Sequence, residues 1–126
     1  MRIKIKSFWP AVIWLLLSTI AFCLPGSALP KNDWFAVVQF DKWIHVGLFS
    51  VMIFLWCLPV FHRPHINLSL TKLFLGIAIA FFCYGIAMEF IQHFFVSNRS
   101  FDMGDIAADA AGCLIGLLFV KWQWKQ

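Results

Sequence analysis

Charge is what this sequence has least of. Lys, Arg, Asp and Glu make up 13% of its 126 residues, and only six residues are acidic. Soluble domains carry about 25% charged residues. The shortage excludes a separate soluble catalytic module. It also excludes a basic nucleic-acid stripe, because the lysines and arginines flank apolar runs, so no nucleic-acid partner is expected. No internal repeat, low-complexity tract or linker divides the chain, which reads as one domain over residues 1–126. There is no CxxC pair. Cys23, Cys57, Cys83 and Cys113 each lie inside an apolar run, where free cysteine packs as a small hydrophobe. Neither a disulfide framework nor a cysteine zinc cluster is expected. No GxSxG, HExxH or phosphatase signature is present, so no nucleophile names a reaction.

What is abundant is hydrophobic sequence, 62% of the chain. It falls into four continuous runs near the ~20 residues that a membrane-crossing helix needs. The expected spans cover about residues 8–24, 43–61, 73–96 and 105–121. Pro10 falls in the first turn of the first, where proline is tolerated, and Pro25 and Gly26 end it. The runs do not alternate, and four segments cannot close a barrel. The fold class is therefore an all-α membrane protein, a bundle of four transmembrane helices. A cleaved signal peptide is the alternative for the first run, with Arg2, Lys4 and Lys6 as its basic region and Gly26-Ser27-Ala28 for cleavage. Trp9, Trp14 and the length of the run fit an anchored helix better.

Arg2, Lys4, Lys6, Arg63, Lys72, Lys121 and Lys125 fall on one side of the four spans, with no acid among them. Lys31, Lys42 and Arg99 fall on the other, beside Asp33, Asp41, Asp102 and Asp105. The positive-inside rule then predicts both termini in the cytoplasm of a multi-pass membrane protein. Trp34, Phe35, Val37, Val38 and Phe40 form a stretch expected to lie on the outer interface.

Five ionisable residues fall at or inside the ends of these spans, all at that outer face: Asp41, His45, Glu89, Asp105 and Asp109. Charge at membrane depth is costly and marks candidate sites. Asp41 and His45 are four apart and share a helix face. Glu89, Gln92 and His93 share another. Asp102, Asp105 and Asp109 share a third, which Gly112 and Gly116 continue as a groove for close helix approach. Plainer roles exist for several of them. Asp41 and Asp105 suit helix N-termini, His45 and His93 suit an interface, and the two glycines suit packing. Glu89 and Asp109 lie inside their spans and need a partner or a proton. Two states are open to Glu89: a protonated donor to Gln92 and Asp109, or an anion paired with Lys42 or Arg99. Arg99 can pair with Asp102 or Asp105, or hold a phosphate. His45, Glu89, Arg99, Asp105 and Asp109 are expected to converge in one pocket.

At these residues the chain resembles the VanZ-like family of small bacterial membrane proteins. Lys42 and His45 match its Lys-x-x-His, and Glu89 and Gln92 its Glu-x-x-Gln. Arg99, Asp102 and Asp105 match its Arg-x-x-Asp-x-x-Asp. Asp109, Gly112 and Gly116 match its Asn-x-x-Gly-x-x-x-Gly, with Asp in place of the usual Asn. The resemblance covers about residues 35–120. It implies a multi-helix membrane protein related to one linked to glycopeptide resistance, notably to teicoplanin.

Two functions follow. The first is a binding module for a membrane lipid, glycolipid, cell-wall precursor or lipophilic glycopeptide at the outer leaflet. The second is a membrane-embedded enzyme that uses the Glu, Asp and His groups for acid–base or metal-assisted chemistry, with Lys42 and Arg99 holding a phosphate-bearing substrate. Cofactor, metal and oligomeric state are not specified by the sequence.

Overall fold

The computed structural model describes residues 6–29, 31–62 and 69–125. Arg2, Lys4, Arg63 and Pro64 lie outside the described residues. Helix α1 spans Trp9–Phe22, α2 Asp33–Val37, α3 Phe40–Phe61, α4 Leu70–Phe95 and α5 Met103–Lys125. No strand occurs among the described residues.

Local chemistry sets these boundaries. Pro10 is in the first turn of α1, and Cys23 closes the helix. Leu24 precedes Pro25, and a residue before proline is driven out of the helical region. At 14 residues α1 rises ~21 Å, against a hydrocarbon core of ~30 Å. It is thus shorter than the span expected from the sequence. It still belongs to the bundle. The Trp14 indole N–H donates to the Leu48 carbonyl at 3.0 Å, and Thr19 and Tyr84 share a hydroxyl–hydroxyl bond of 2.6 Å. Phe8 lies beside Trp56 and Phe22 beside His45, so α1 runs antiparallel to α3.

The single turn of α2 is capped by Asn32, whose side chain accepts from the Trp34 N–H. Trp34 and Val37 are exposed. Gln39 takes a left-handed conformation with φ 48°. That turn lets α3 begin at Phe40, ahead of the expected start at Trp43, and brings Asp41 and Lys42 into its first turn. At the far end of α4, Val96 is extended and Asn98 is left-handed with φ 57°. The Gly26 N–H donates to the Ser97 carbonyl at 3.0 Å. This bond ties the loop after α1 to the loop after α4.

Helices α3, α4 and α5 are each long and apolar enough to cross a membrane. Their outer faces carry Ile79, Phe94, Leu114 and Leu118, all exposed. In water so large an apolar exterior would aggregate; in a bilayer it is the lipid-facing surface. The interior holds Phe49, Met52, Ile53 and Phe74, wholly buried. It also holds polar side chains gathered toward one end, where α3 and α5 begin and α4 ends. The cysteines divide. All are free, but Cys57 and Cys113 are buried while Cys23 and Cys83 are exposed, so only half of them fill the interior.

Helices α3 and α5 pack closely along a seam of glycines. A Cβ on Gly112 would stand 2.6 Å from the Val46 carbonyl oxygen, and one on Gly116 would stand 2.6 Å from that of Ser50. The Ser50 hydroxyl bonds back within α3 to the Val46 carbonyl at 2.7 Å and across the seam to the Gly112 carbonyl at 3.1 Å. The missing side chains fix the separation of the two helices that carry most of the polar groups.

Candidate functional site

Two linked clusters occupy the polar end. The outer one centres on Lys42. Its Nζ lies 2.7 Å from Asp102 Oδ2, 3.3 Å from Asp105 Oδ1 and 3.5 Å from Asp41 Oδ2. Asp102 is the cap of α5: its Oδ1 accepts from the Gly104 N–H at 2.7 Å. The Lys42 hydrogen bond and then the Gly104 N–H hold the Asp102 carboxyl below the usual carboxylate range. The capping role expected of Asp105 thus belongs to Asp102.

The inner cluster is buried. His45, Asp105, Glu89 and Asp109 are 5%, 5%, 1% and 1% exposed. His45 Nδ1 and Asp109 Oδ1 are 2.7 Å apart. With Asp109 ionised, Nδ1 carries the proton and donates, which leaves Nε2 with its lone pair. Nε2 is 3.8 Å from Asp105 Oδ2, too far for a hydrogen bond. Phe22 covers the imidazole, with ring centroids 4.8 Å apart. Gly85 makes room for Asp109, since a Cβ there would stand 2.5 Å from its Oδ2. Glu89 Oε2 accepts from the Asp102 N–H at 3.1 Å. Glu89 Oε1 is buried with no hydrogen-bond partner among the described residues. Asp105 joins the clusters, one oxygen toward Lys42 and the other toward His45.

Several sequence expectations are corrected here. Arg99 makes no ion pair with Asp102 or Asp105; its Nε stands 3.4 Å from the Leu24 carbonyl oxygen. It is therefore outside the pocket in which it was expected. Gln92 is buried but does not bond Glu89; its Nε2 donates to the Phe22 carbonyl at 2.9 Å. Glu89 has neither Lys42 nor Arg99 as an ion-pair partner, because a backbone N–H takes its place. His93 does not share the buried face of Glu89. It is exposed and lies edge-on to Phe94 and Phe101. Lys42 is held by three carboxylates and is not free to clamp a phosphate.

Beside the outer cluster is a cleft of about 550 Å³, lined by Lys31, Asn32, Asp33, Gln39, Asp41 and Lys42 among others. Two lysines and two aspartates leave it without net charge. Lower on the bundle, Val51, Phe54, Ile115 and Phe119 line an apolar groove of about 200 Å³. Ile44 lines the cleft and Val51 the groove. Two helical turns apart, they lie on one face of α3.

This geometry places Lys42 and His45 on α3, Glu89 and Gln92 on α4, and Asp105, Asp109, Gly112 and Gly116 on α5. The family model described as VanZ/LLP1 matches residues 5–124, almost the whole chain. The chain belongs to the VanZ/LLP1 family. No curated protein and no solved structure matches it. In this VanZ/LLP1 chain Lys42, His45, Glu89, Asp102, Asp105 and Asp109 meet at one end of three helices, Gly112 and Gly116 line the α3–α5 seam, and Arg99 and Gln92 bond backbone carbonyls of the segment around the end of α1. What the sequence reasoning missed is the cleft ahead of α3, formed by Lys31, Asn32, Asp33 and Gln39. Its only signal was the polar stretch before an apolar span.

Proposed function

We propose that this VanZ/LLP1 protein sits in a bacterial cytoplasmic membrane and binds an acylated, sugar-bearing ligand at its polar end. The ligand class is an envelope glycolipid or a lipophilic glycopeptide such as teicoplanin, and binding alters sensitivity to that drug class. The observation that carries this is the polar cleft and the apolar groove on one face of α3. They suit a headgroup and an acyl chain about 10 Å apart along the helix. Charge chooses between headgroups. A phosphate would meet Asp33 and Asp41 beside lysines of equal number, and Lys42 is already paired. Sugar hydroxyls donate to carboxylates and accept from amines, so a charge-balanced cleft favours them. The test compares binding of a glycosyl diacylglycerol with that of phosphatidylglycerol to the purified full chain in detergent micelles. The glycolipid should bind at least about fivefold more tightly, a difference of ~1 kcal/mol, and Asp33→Asn with Asp41→Asn should remove that preference. Equal affinity for both lipids would overturn the reading.

A second reading is favoured by the buried His45–Asp109 pair, the arrangement of an oriented general base. Under it, His45→Gln should change the envelope-lipid profile of expressing cells. Under the binding reading the profile stays that of wild type.

The orientation rests on the basic residues that flank the spans, with the polar end outward and both termini in the cytoplasm. Reporter fusions at residues 30 and 100 should read outside, and those at 66 and 126 inside. A C-terminal fusion that reads outside overturns it.

A further inference from the structure

We propose that His45, Glu89 and Asp105 form a binding site for a divalent transition-metal ion, with Asp109 fixing the histidine. Each of the three places one ligand atom within 4.8 Å of the other two, and all are buried. A compact acidic cluster is not by itself a metal site. Here a separate observation points to a ligand. Glu89 is 1% exposed, Oε2 is taken by the Asp102 N–H, and Oε1 has no partner among the described residues. A carboxylate oxygen left unsatisfied out of water costs more than an ordinary lost hydrogen bond. A cation removes that cost.

The histidine is prepared in the same way. Ligating imidazoles donate their other N–H to a carboxylate, which fixes ring and tautomer. His45 Nδ1 meets Asp109 at 2.7 Å, and Nε2 is left facing Asp105 at 3.8 Å. That distance is too long for Nε2 to be satisfied by Asp105 and leaves room for an ion between them. Four-coordinate ions with ligands at ~2.1 Å hold their ligand atoms about 3.4 Å apart, so small side-chain rotations close the set. One imidazole and two carboxylates favour zinc or manganese over magnesium or calcium, which prefer oxygen alone.

The neighbouring triplet of Asp41, Asp102 and Asp105 is also compact. It carries no such proposal, because the Lys42 ammonium already lies within 3.5 Å of all three carboxylates. The inner site lies one carboxylate beneath it, since Asp105 serves both. The metal site stands independently of the glycolipid reading.

The experiment uses the full chain in detergent micelles, stripped with a chelator and then given zinc alone. About one equivalent should remain after desalting. Glu89→Gln and His45→Gln should each lose it. Asp109→Asn should weaken it by roughly 10–100-fold, whereas Asp41→Asn should leave it unchanged. Cobalt in place of zinc gives a readout on the wild type, whatever the variants' folding. Visible bands should appear and be displaced by zinc. Absence of those bands in the wild type, or full zinc retention by Glu89→Gln, would overturn the proposal.

Discussion

Gly112→Leu should prevent the bundle from assembling. A Cβ alone at this position would stand 2.6 Å from the Val46 carbonyl oxygen and 2.8 Å from Phe49 Cβ. The first is backbone, so no rotamer change relieves it; α3 and α5 must part. These two helices share the most extensive contact in the molecule, and they carry Lys42 and His45 on one side and Asp105 and Asp109 on the other. The polar clusters should therefore be lost with the seam. Gly112→Ala grades the effect. Overpacking costs ~1–3 kcal/mol, offset by about 1 kcal/mol of helix propensity. Gly116→Ala should behave alike, and the double variant should cost less than the sum, because helices already parted accept the second methyl. Gly76→Ala is the control. A Cβ there would meet nothing within 4 Å, so the substitution should be neutral or stabilising. The measurement is thermal or denaturant unfolding in micelles, with recovered yield for the leucine variant. A Gly112→Leu protein of wild-type stability would mean that the seam is not as close as described.

Helical spacing made much of this legible in advance. Glu89 and Asp109 lie inside apolar spans, and the spacings of Asp41 with His45, of Glu89 with Gln92, and of Asp105 with Asp109 put one polar face on each of three helices. The family motifs lie on those same faces. The companion glycines marked the seam because a small-residue stripe has few uses in a membrane helix other than close approach. Backbone partners were not legible. Gln92 bonds the Phe22 carbonyl, Arg99 stands by the Leu24 carbonyl and Glu89 accepts from the Asp102 N–H. A carbonyl or an N–H belongs to every residue and leaves no mark on composition. The early start of α3 was equally hidden. It depends on a left-handed Gln39, where glycine or asparagine would have signalled the turn. The departure at Asp109 had a sequence signal, but the partner considered for it was a protonated Glu89. The fold supplies one in His45 Nδ1.

Glu89→Gln should fold and insert as the wild type does, yet lose the phenotype that the protein confers. The amide oxygen of glutamine can still accept from the Asp102 N–H, now 3.1 Å from Glu89 Oε2. Shape and the buried bond survive, so stability should change by no more than about 1 kcal/mol, the net worth of one typical hydrogen bond. What disappears is the carboxylate beside His45 and Asp105. Glu89→Leu separates the two contributions. It leaves the Asp102 N–H without its acceptor, at a cost of ~1–3 kcal/mol. That loss falls on the residue that caps α5 and holds Lys42. The expected order of stability is wild type, then Gln, then Leu, while glycopeptide sensitivity should be equally altered in both variants. The checks are unfolding in micelles and a drug-sensitivity assay on cells with matched expression. Should the glutamine variant keep the full phenotype, the charge at this position does nothing beyond accepting a backbone hydrogen bond. Glu89 would then be a structural anchor for the start of α5, and the functional case would pass to His45 and Asp109.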